Sequence, residues 1–239
     1  MNWEKLLENL YGALIKEDRW KLYLQGLAVT LQIAAIACAI GIVLGLLVAV
    51  VKIYAANTKK PNRGGAAAAG YGILRVLNTV CNFYTTVIRG TPVVVQLLIL
   101  YSFSFMPNGL VASIIGFGIN SGAYVSEIFR GGINSVDSGQ MEAGRSLGLS
   151  QNKTMWYVVL PQAIKNILPS LFNEFISLVK ETSIAGYIAV NDLTKMANGI
   201  KGRTFNPLPF FVAAILYLLL TLGLTQVQQK IERRLARSD

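Results

Sequence analysis

The sequence contains no histidine, only two cysteines and few charged residues, which make up 14% of its 239 residues. Soluble domains carry about 25% charged residues, so this chain is short of side chains that solvate a surface. Cys38 and Cys81 lie in apolar surroundings without a CxxC spacing. They are interpreted as small hydrophobic residues, and neither a disulfide nor a metal site is expected. The chain also lacks the G-x-x-x-x-G-K-[ST] phosphate loop, so ATP binding by that device is excluded.

Three long stretches of the sequence carry no charge, over residues 22–51, 90–126 and 204–229. A helix that crosses a bilayer needs about 20 apolar residues, and each stretch is longer than that. A soluble chain of 239 residues could not bury three such stretches. The sequence therefore predicts an integral membrane protein. Its net charge of +10 is attributed to basic loops beside the membrane and not to nucleic-acid binding.

The predicted fold is all-α and polytopic, with five core transmembrane helices. The spans are expected at about 22–51, 83–105, 110–133, 163–190 and 208–227. Residues 1–21 form a charged amphipathic segment without the apolar region of a cleavable signal, 22–229 form the membrane domain, and 230–239 form a basic tail.

Several connections are predicted from Gly, Pro and polar residues. They are a flexible loop at 57–70, a kink at Arg89–Pro92, a turn at Pro107-Asn108-Gly109 and a polar loop at 191–207.

The distribution of Lys and Arg predicts the orientation of the five spans. The loops at 52–89 and 130–165 and the C-terminal tail together carry fourteen of these residues, and the N-terminal segment and the loop at 191–207 carry seven. Because basic residues accumulate on the cytoplasmic side, we expect the N-terminus outside and the C-terminus in the cytoplasm. The polar stretch between the third and fourth spans is then cytoplasmic.

This polar stretch is predicted to form two short helices. Gly148 can take the left-handed conformation that ends a helix, here about Gly139–Leu147. Ser150 would cap a second helix at about Gln151–Leu160, which Pro161 would terminate.

The same stretch resembles the EAA loop of ABC importer permeases, whose pattern is E-A-A, three residues, Gly, nine residues and I-x-L-P. Residues 138–161 keep this spacing, with Gly144 in place of the second Ala and Val158 in place of Ile. The flanking segments Tyr124–Ile133 and Arg89–Pro92 resemble the permeases for polar and basic amino acids. The resemblance implies a type I ABC importer-like permease whose loop is a coupling element that docks on a separate ATPase.

The resemblance also implies residue roles and partners. The residues it assigns to ATPase coupling are Glu142, Ala143, Gly144, Gly148, Leu160 and Pro161. The implied partners are a cytoplasmic ATP-binding subunit, a second permease subunit (identical or different), an extracytoplasmic amino-acid-binding protein and the lipid bilayer. The implied function is import of a polar or basic amino acid by alternating access, with no catalytic residue and no cofactor in this chain.

Charged residues within a predicted span indicate a functional site, because they are costly in a membrane. In the fourth span, one helix face carries Ser170, Asn173, Glu174, Ser177, Lys180 and Glu181. Lys180 and Glu181 could complement the carboxylate and the ammonium of an amino acid. The alternatives are an internal ion pair, or pairing of Glu174 with Arg89 or Arg130.

The second and third spans supply the other candidate residues. Asn120 and Tyr124 share a face of the third span, and Gln96 shares a face with Arg89 on the second. Glu127 is expected to pair with a basic residue, Arg130 or Arg89. The predicted substrate-binding set is therefore Lys180, Glu181, Ser177, Asn120, Tyr124 and Gln96.

Two other functions compete with an ATP-driven permease. A secondary transporter would need internal repeats, and the halves of the sequence show no self-similarity. A membrane-embedded enzyme could use only a Ser–Lys pair such as Ser177 and Lys180. The segment Gly144–Gly148 matches the G-x-S-x-G hydrolase elbow, but that elbow follows a strand and needs a histidine, which the chain lacks.

Overall fold

The computed structural model describes residues 3–61 and 65–236, and all regular structure in these residues is helical. The α-helices are α1 (Trp3–Leu14), α2 (Arg19–Asn57), α3 (Ala66–Gly90), α4 (Val93–Tyr101), α5 (Gly109–Asn134), α6 (Ser138–Ser146), α7 (Gln151–Thr154), α8 (Leu160–Glu181), α9 (Leu193–Thr204) and α10 (Leu208–Ala236). Short 3₁₀ segments lie at Lys16–Asp18 and Thr182–Ile188, and a π-helical turn lies at Met155–Val159. The predicted all-α fold is confirmed. Arg63 and Arg237, which the prediction counted among the basic loop and tail residues, lie outside the described residues.

Among the described helices, three are long and apolar enough to cross a membrane, namely Lys16–Asn57, Gly109–Asn134 and Leu208–Leu235. They coincide with the first, third and fifth predicted spans. Helices α3 and α4 together make a fourth if the pair counts as one broken span. Helix α8 has 22 residues, which gives a length of about 33 Å and suffices for a bilayer, although its polar face lowers its hydropathy.

The second predicted span, 83–105, is wrong as a single helix. Helix α3 begins at Ala66, inside the predicted flexible loop at 57–70, because its run of alanines has the highest helix propensity. It ends at Gly90, and Thr91 is extended at φ −122° and ψ 147°. The residue before a proline is driven out of the helical region, so Thr91-Pro92 produces a full break and not the predicted kink.

The predicted polar loop at 191–207 instead contains helix α9. Asp192 caps this helix, since its carboxylate oxygens accept hydrogen bonds from the backbone N–H groups of Thr194 at 2.9 Å and Lys195 at 3.1 Å. Burial raises the pKa of the Asp192 carboxyl, although these hydrogen bonds act to lower it. Leu193, Ala197 and Ile200 follow at helical spacing and are fully buried, a signal that the sequence already contained.

The described chain forms two compact units, one within Met1–Cys38, Val93–Phe117 and Phe175–Val227, the other within Ala39–Pro92, Gly118–Glu174 and Gln228–Asp239. We call them the first and second units. The core of the first unit joins α2, α9 and α10 through Tyr23, Leu193, Ala197, Ile200 and Ala213.

Helix α1 belongs to the first unit and has two different faces. One face packs inward, with Ala13 buried and Leu14 against the core of the unit. The other face exposes an apolar and aromatic stripe of Trp3, Leu7 and Tyr11, and the exposed Ile15 follows directly after the helix. This arrangement agrees with the predicted amphipathic character, and such a stripe is typical of a helix that lies in a membrane interface.

Candidate functional site

Helix α6 and the helical segment after it form a hairpin in the second unit. Asp137 caps α6, and Gly148 ends the turn in the left-handed region at φ +85°. The backbone N–H of Leu149 donates to the Gly144 carbonyl at 3.1 Å, and that of Gly148 donates to Arg145 at 3.0 Å. These two bonds make a Schellman motif, so the predicted end of the first coupling helix is confirmed.

The second arm of the hairpin begins as predicted and ends differently. Ser150 caps it, with its hydroxyl accepting from the backbone N–H of Lys153 at 3.4 Å. The prediction that Pro161 terminates this arm is wrong, because the chain continues through Leu160 into α8. The π-helical turn at Met155–Val159 ends two residues before the proline. A wider turn relieves the clash between a proline ring and the carbonyl four residues earlier, so the helix passes through.

The two arms touch where Gly144 faces Thr154. Thr154 is fully buried, and a β-carbon built on Gly144 would lie 2.4 Å from its Cγ2 atom. This distance is shorter than any van der Waals contact, so the alanine found in the family pattern would force Thr154 or one of the two arms to shift. Glycine at position 144, where the family pattern has alanine, therefore leaves room for the side chain of Thr154 on the other arm.

The outer surface of the hairpin is apolar at three places. Leu147 is 84% exposed, Trp156 67% and Tyr157 75%. The predicted coupling residues Glu142 and Ala143 are exposed as well. The three large side chains were missed by sequence reasoning, although apolar residues inside a polar stretch are a usable signal for a docking surface.

The second unit also holds a charged cluster centred on Glu127. Lys52 Nζ lies 2.8 Å from Oε1 of Glu127 and 3.0 Å from Oγ1 of Thr85. Arg130 donates to Oε2 of Glu127 through Nε at 2.9 Å and Nη2 at 2.7 Å. The predicted pairing of Glu127 with Arg130 is confirmed. The prediction did not include Lys52 as a partner of Glu127. The side chain of Lys52 is only 11% exposed, and the available signal in the sequence was its place directly after a long uncharged run.

Tyr124, Ser121 and Asn120 of α5 have different surroundings. The guanidinium of Arg89 lies 5.2 Å from the centre of the Tyr124 ring, a cation–π contact. Ser121 donates to Oε1 of Glu174 at 2.8 Å. Asn120 is buried, with 4% of its surface exposed, and Tyr124 is 39% exposed.

The end of α8 presents the charged part of the predicted stripe, in the first unit. Lys180 and Glu181 are exposed and Ser177 is half-buried, whereas Leu178 and Val179 are fully buried. Within the described chain neither Lys180 nor Glu181 forms an ion pair, and neighbouring positions on a helix do not face each other. The alternative of a pair between these two residues is therefore not observed.

The structure divides the six predicted substrate residues between the two units. Gln96, Ser177, Lys180 and Glu181 belong to the first unit, and Asn120 and Tyr124 to the second. Gln96 is half-buried on α4, and the break at Thr91 places it on a different helix from Arg89. The predicted shared face of Arg89 and Gln96 is wrong for this reason.

Sequence comparison identifies similar proteins over most of the chain. Residues 63–237 match the family described as binding-protein-dependent transport system inner membrane component. An arginine transport system permease protein of Bacillus subtilis (strain 168) is 37% identical over 222 residues, which cover 90% of this chain and 93% of the relative. A putative glutamine transport system permease protein of Rickettsia felis is 38% identical over 217 residues, which cover 88% of this chain and 91% of the relative.

A comparison of folds agrees with the sequence match. The crystal structure of an amino acid ABC transporter with histidines contains a chain that superimposes with a TM-score of 0.78 at 38% identity. The aligned part covers 90% of this chain and 94% of the other.

Proposed function

Since the chain belongs to the family of binding-protein-dependent transport inner-membrane components, as a permease subunit of an ABC importer, we propose that its cargo is a polar or basic amino acid. Permeases of this family work with a separate ATPase and a substrate-binding protein. The two competing functions, a secondary transporter and a membrane enzyme, are accordingly set aside. The names of the relatives, for arginine and for glutamine, support an amino acid as cargo.

The observation that carries the coupling role is the hairpin of α6 and α7. Two backbone hydrogen bonds hold its turn, and its two arms pack against each other at Gly144. The hairpin is therefore rigid enough to transmit a movement of the ATPase to the membrane helices. The exposed side chains of Leu147, Trp156 and Tyr157 give it an apolar surface. This surface docks in the ATPase, and ATP-driven closure of two ATPase subunits moves the spans that are joined to the hairpin.

The substrate is recognised by the charged end of α8. The Lys180 ammonium binds the carboxylate of the amino acid, and Glu181 binds its ammonium group. Both side chains are exposed on the chain taken alone. A charged side chain in a membrane span faces a partner or an aqueous route and not the lipid.

The exposure of Lys180 and Glu181 also supports the presence of a second permease subunit. Lys180 and Glu181 would lie against lipid if the chain acted by itself. A second permease chain, identical or different, covers them and completes the translocation route. Gln96 and Ser177, which belong to the same unit as Lys180 and Glu181, supply polar groups to this route. Asn120 and Tyr124 of the second unit stay predicted substrate-binding residues.

The proposed test replaces Lys180 in the assembled importer. In vesicles that contain the permease, its ATPase and the binding protein, Lys180→Met is expected to lower uptake and cargo-stimulated ATP turnover by about tenfold or more, because a charge-assisted hydrogen bond to the cargo carboxylate is lost. Arginine and glutamine, each with its binding protein, are the first cargoes to measure.

A control removes an exposed cation from another helix. Lys230→Met on α10 lies outside the predicted substrate-binding set and should retain uptake. Lys180→Arg keeps the charge and should restore part of the activity. Unchanged uptake by correctly assembled Lys180→Met would contradict the substrate role, and uptake without any added ATPase would contradict the coupled mechanism.

A further inference from the structure

The second unit contains a cavity of about 470 Å³ at the end of α5 from which the hairpin follows. Its lining residues come from α2, α3 and α5, and they are Lys52, Ala56, Arg75, Asn78, Asn82, Glu127 and Arg130. None of the predicted substrate or coupling residues lines this cavity. Its volume lies within the range of small-ligand pockets, which is about 300–1,000 Å³.

The lining of the cavity has an excess of positive charge. Lys52 and Arg130 share the single carboxylate of Glu127, so this group of three carries one net positive charge. Arg75 adds another, because its contacts are the hydroxyl of Tyr71 at 2.9 Å and the face of the same ring, neither of which is negative. The cavity therefore has the charge that attracts an anion.

The donors in the cavity suit a phosphate group. Arg75, Asn78 and Asn82 lie three and four residues apart on α3 and so share one face of that helix. The two amides supply N–H donors, and a guanidinium can bind two phosphate oxygens at once. An amino-acid carboxylate would use fewer of these donors.

The opposite face of α3 is apolar. Ile73, Val76, Val80 and Phe83 are between 59% and 70% exposed, and they lie about 150° around the helix from the face that lines the cavity. One face of α3 can thus meet the lipid bilayer while the other lines the cavity. Basic pockets between helices on the cytoplasmic side of membrane proteins bind lipid head groups.

We propose that this cavity binds the phosphate head group of an anionic phospholipid. The lipid would brace the ends of α2 and α5 and the middle of α3. The proposal requires membrane insertion and holds whichever amino acid is transported.

The test measures lipid retention by the permease purified with its ATPase. The complex is mixed with phosphatidylglycerol or with phosphatidylcholine, and bound lipid is counted by native mass spectrometry. The parent protein should retain phosphatidylglycerol in preference to phosphatidylcholine. Arg75→Gln should reduce phosphatidylglycerol retention by about tenfold, the effect expected for one charge-assisted contact.

Two further variants separate this site from general electrostatics. Lys59→Gln removes one exposed charge close to the end of α2, outside the cavity lining, and should retain lipid like the parent. Asn78→Ala removes an amide donor without changing the charge and should lower retention, which keeps the test valid if Arg75→Gln fails to assemble.

Three outcomes would overturn the proposal. Equal losses in Arg75→Gln and Lys59→Gln would indicate unspecific attraction. Retention by Arg75→Gln and Asn78→Ala at the level of the parent would show that the cavity is not the site. Displacement of phosphatidylglycerol by inorganic phosphate at equal concentration would assign the site to a soluble anion and not to a lipid.

Discussion

Single atoms decide the packing of the coupling hairpin. The side chain that Gly144 lacks would occupy the place of the Thr154 methyl group, and Thr154 has no exposed surface into which it could turn. The pair therefore behaves as one unit, with a small residue on one arm and a β-branched residue on the other.

Gly144→Ala is expected to destabilise the hairpin by about 1–3 kcal/mol, the usual cost of overpacking. The substitution should impair the coupling of ATP hydrolysis to transport more than it impairs assembly of the importer. Cargo-stimulated ATP turnover is therefore the quantity to measure. In the double variant with Thr154→Ala, the Cγ2 and Oγ1 atoms are absent and most of the turnover should return. Failure of the second substitution to rescue the first would show that the clash with Thr154 is not the cause.

At the scale of single residues, the sequence was sufficient to predict those residues whose role depends only on their neighbours along the chain. Gly148 and Ser150 are recognisable because a left-handed end and a cap depend on neighbours along the chain. The partners of Glu127 and Gly144 were harder to predict. Lys52 is 75 residues away from Glu127, and the contact of Gly144 with Thr154 requires the two arms to be folded together.

At the scale of elements, glycines set how closely α2 approaches α5 in the second unit. A β-carbon on Gly41 would lie 2.7 Å from Oγ of Ser121, and one on Gly45 would lie 2.6 Å from Cγ1 of Val125. On the facing helix, Gly122 packs against Leu44 in the same way. The Gly41-x-x-x-Gly45 pattern thus serves packing within the chain, as small residues do in membrane helices.

Gly45→Val is expected to separate α2 from α5 and to reduce the yield of assembled importer severely, because the added atoms meet the side chain of Val125 and the backbone of Gly122. Size-exclusion chromatography of the solubilised complex measures this loss. Gly72→Ala on α3 is the control, since nothing lies within 4 Å of its added carbon. Wild-type assembly of Gly45→Val would refute the close approach.

The two helix boundaries that sequence reasoning placed wrongly at prolines share one cause. Pro161 and Pro92 have the same side chain, yet the helix continues through the first and breaks at the second. The difference lies in the residues before each proline, where five residues form a π-helical turn in one case and Thr91 is extended in the other. The presence of a proline alone therefore does not decide whether a helix ends.

For the whole molecule, the packing of α1 on α9 within the first unit constrains the topology. Two helices that touch outside the bilayer must lie on the same side of it, so an even number of spans must separate them. If the broken pair of α3 and α4 counts as one span, it makes three together with the apolar helices α2 and α5. Helix α8 is then the fourth span, in spite of its charged face, and α10 is the fifth.

This count predicts which introduced cysteines an impermeant maleimide can reach in intact cells. In a background with Cys38 and Cys81 replaced by alanine, Glu8→Cys on α1 and Lys201→Cys on α9 should be labelled from outside. Lys60→Cys and Arg234→Cys should react only after permeabilisation, because the excess of Lys and Arg predicts that the basic loops and the tail lie on the cytoplasmic side. If α8 did not cross the bilayer, Lys201→Cys would become protected and Arg234→Cys accessible. Labelling of Lys60→Cys in place of Glu8→Cys would instead invert the orientation of the whole chain.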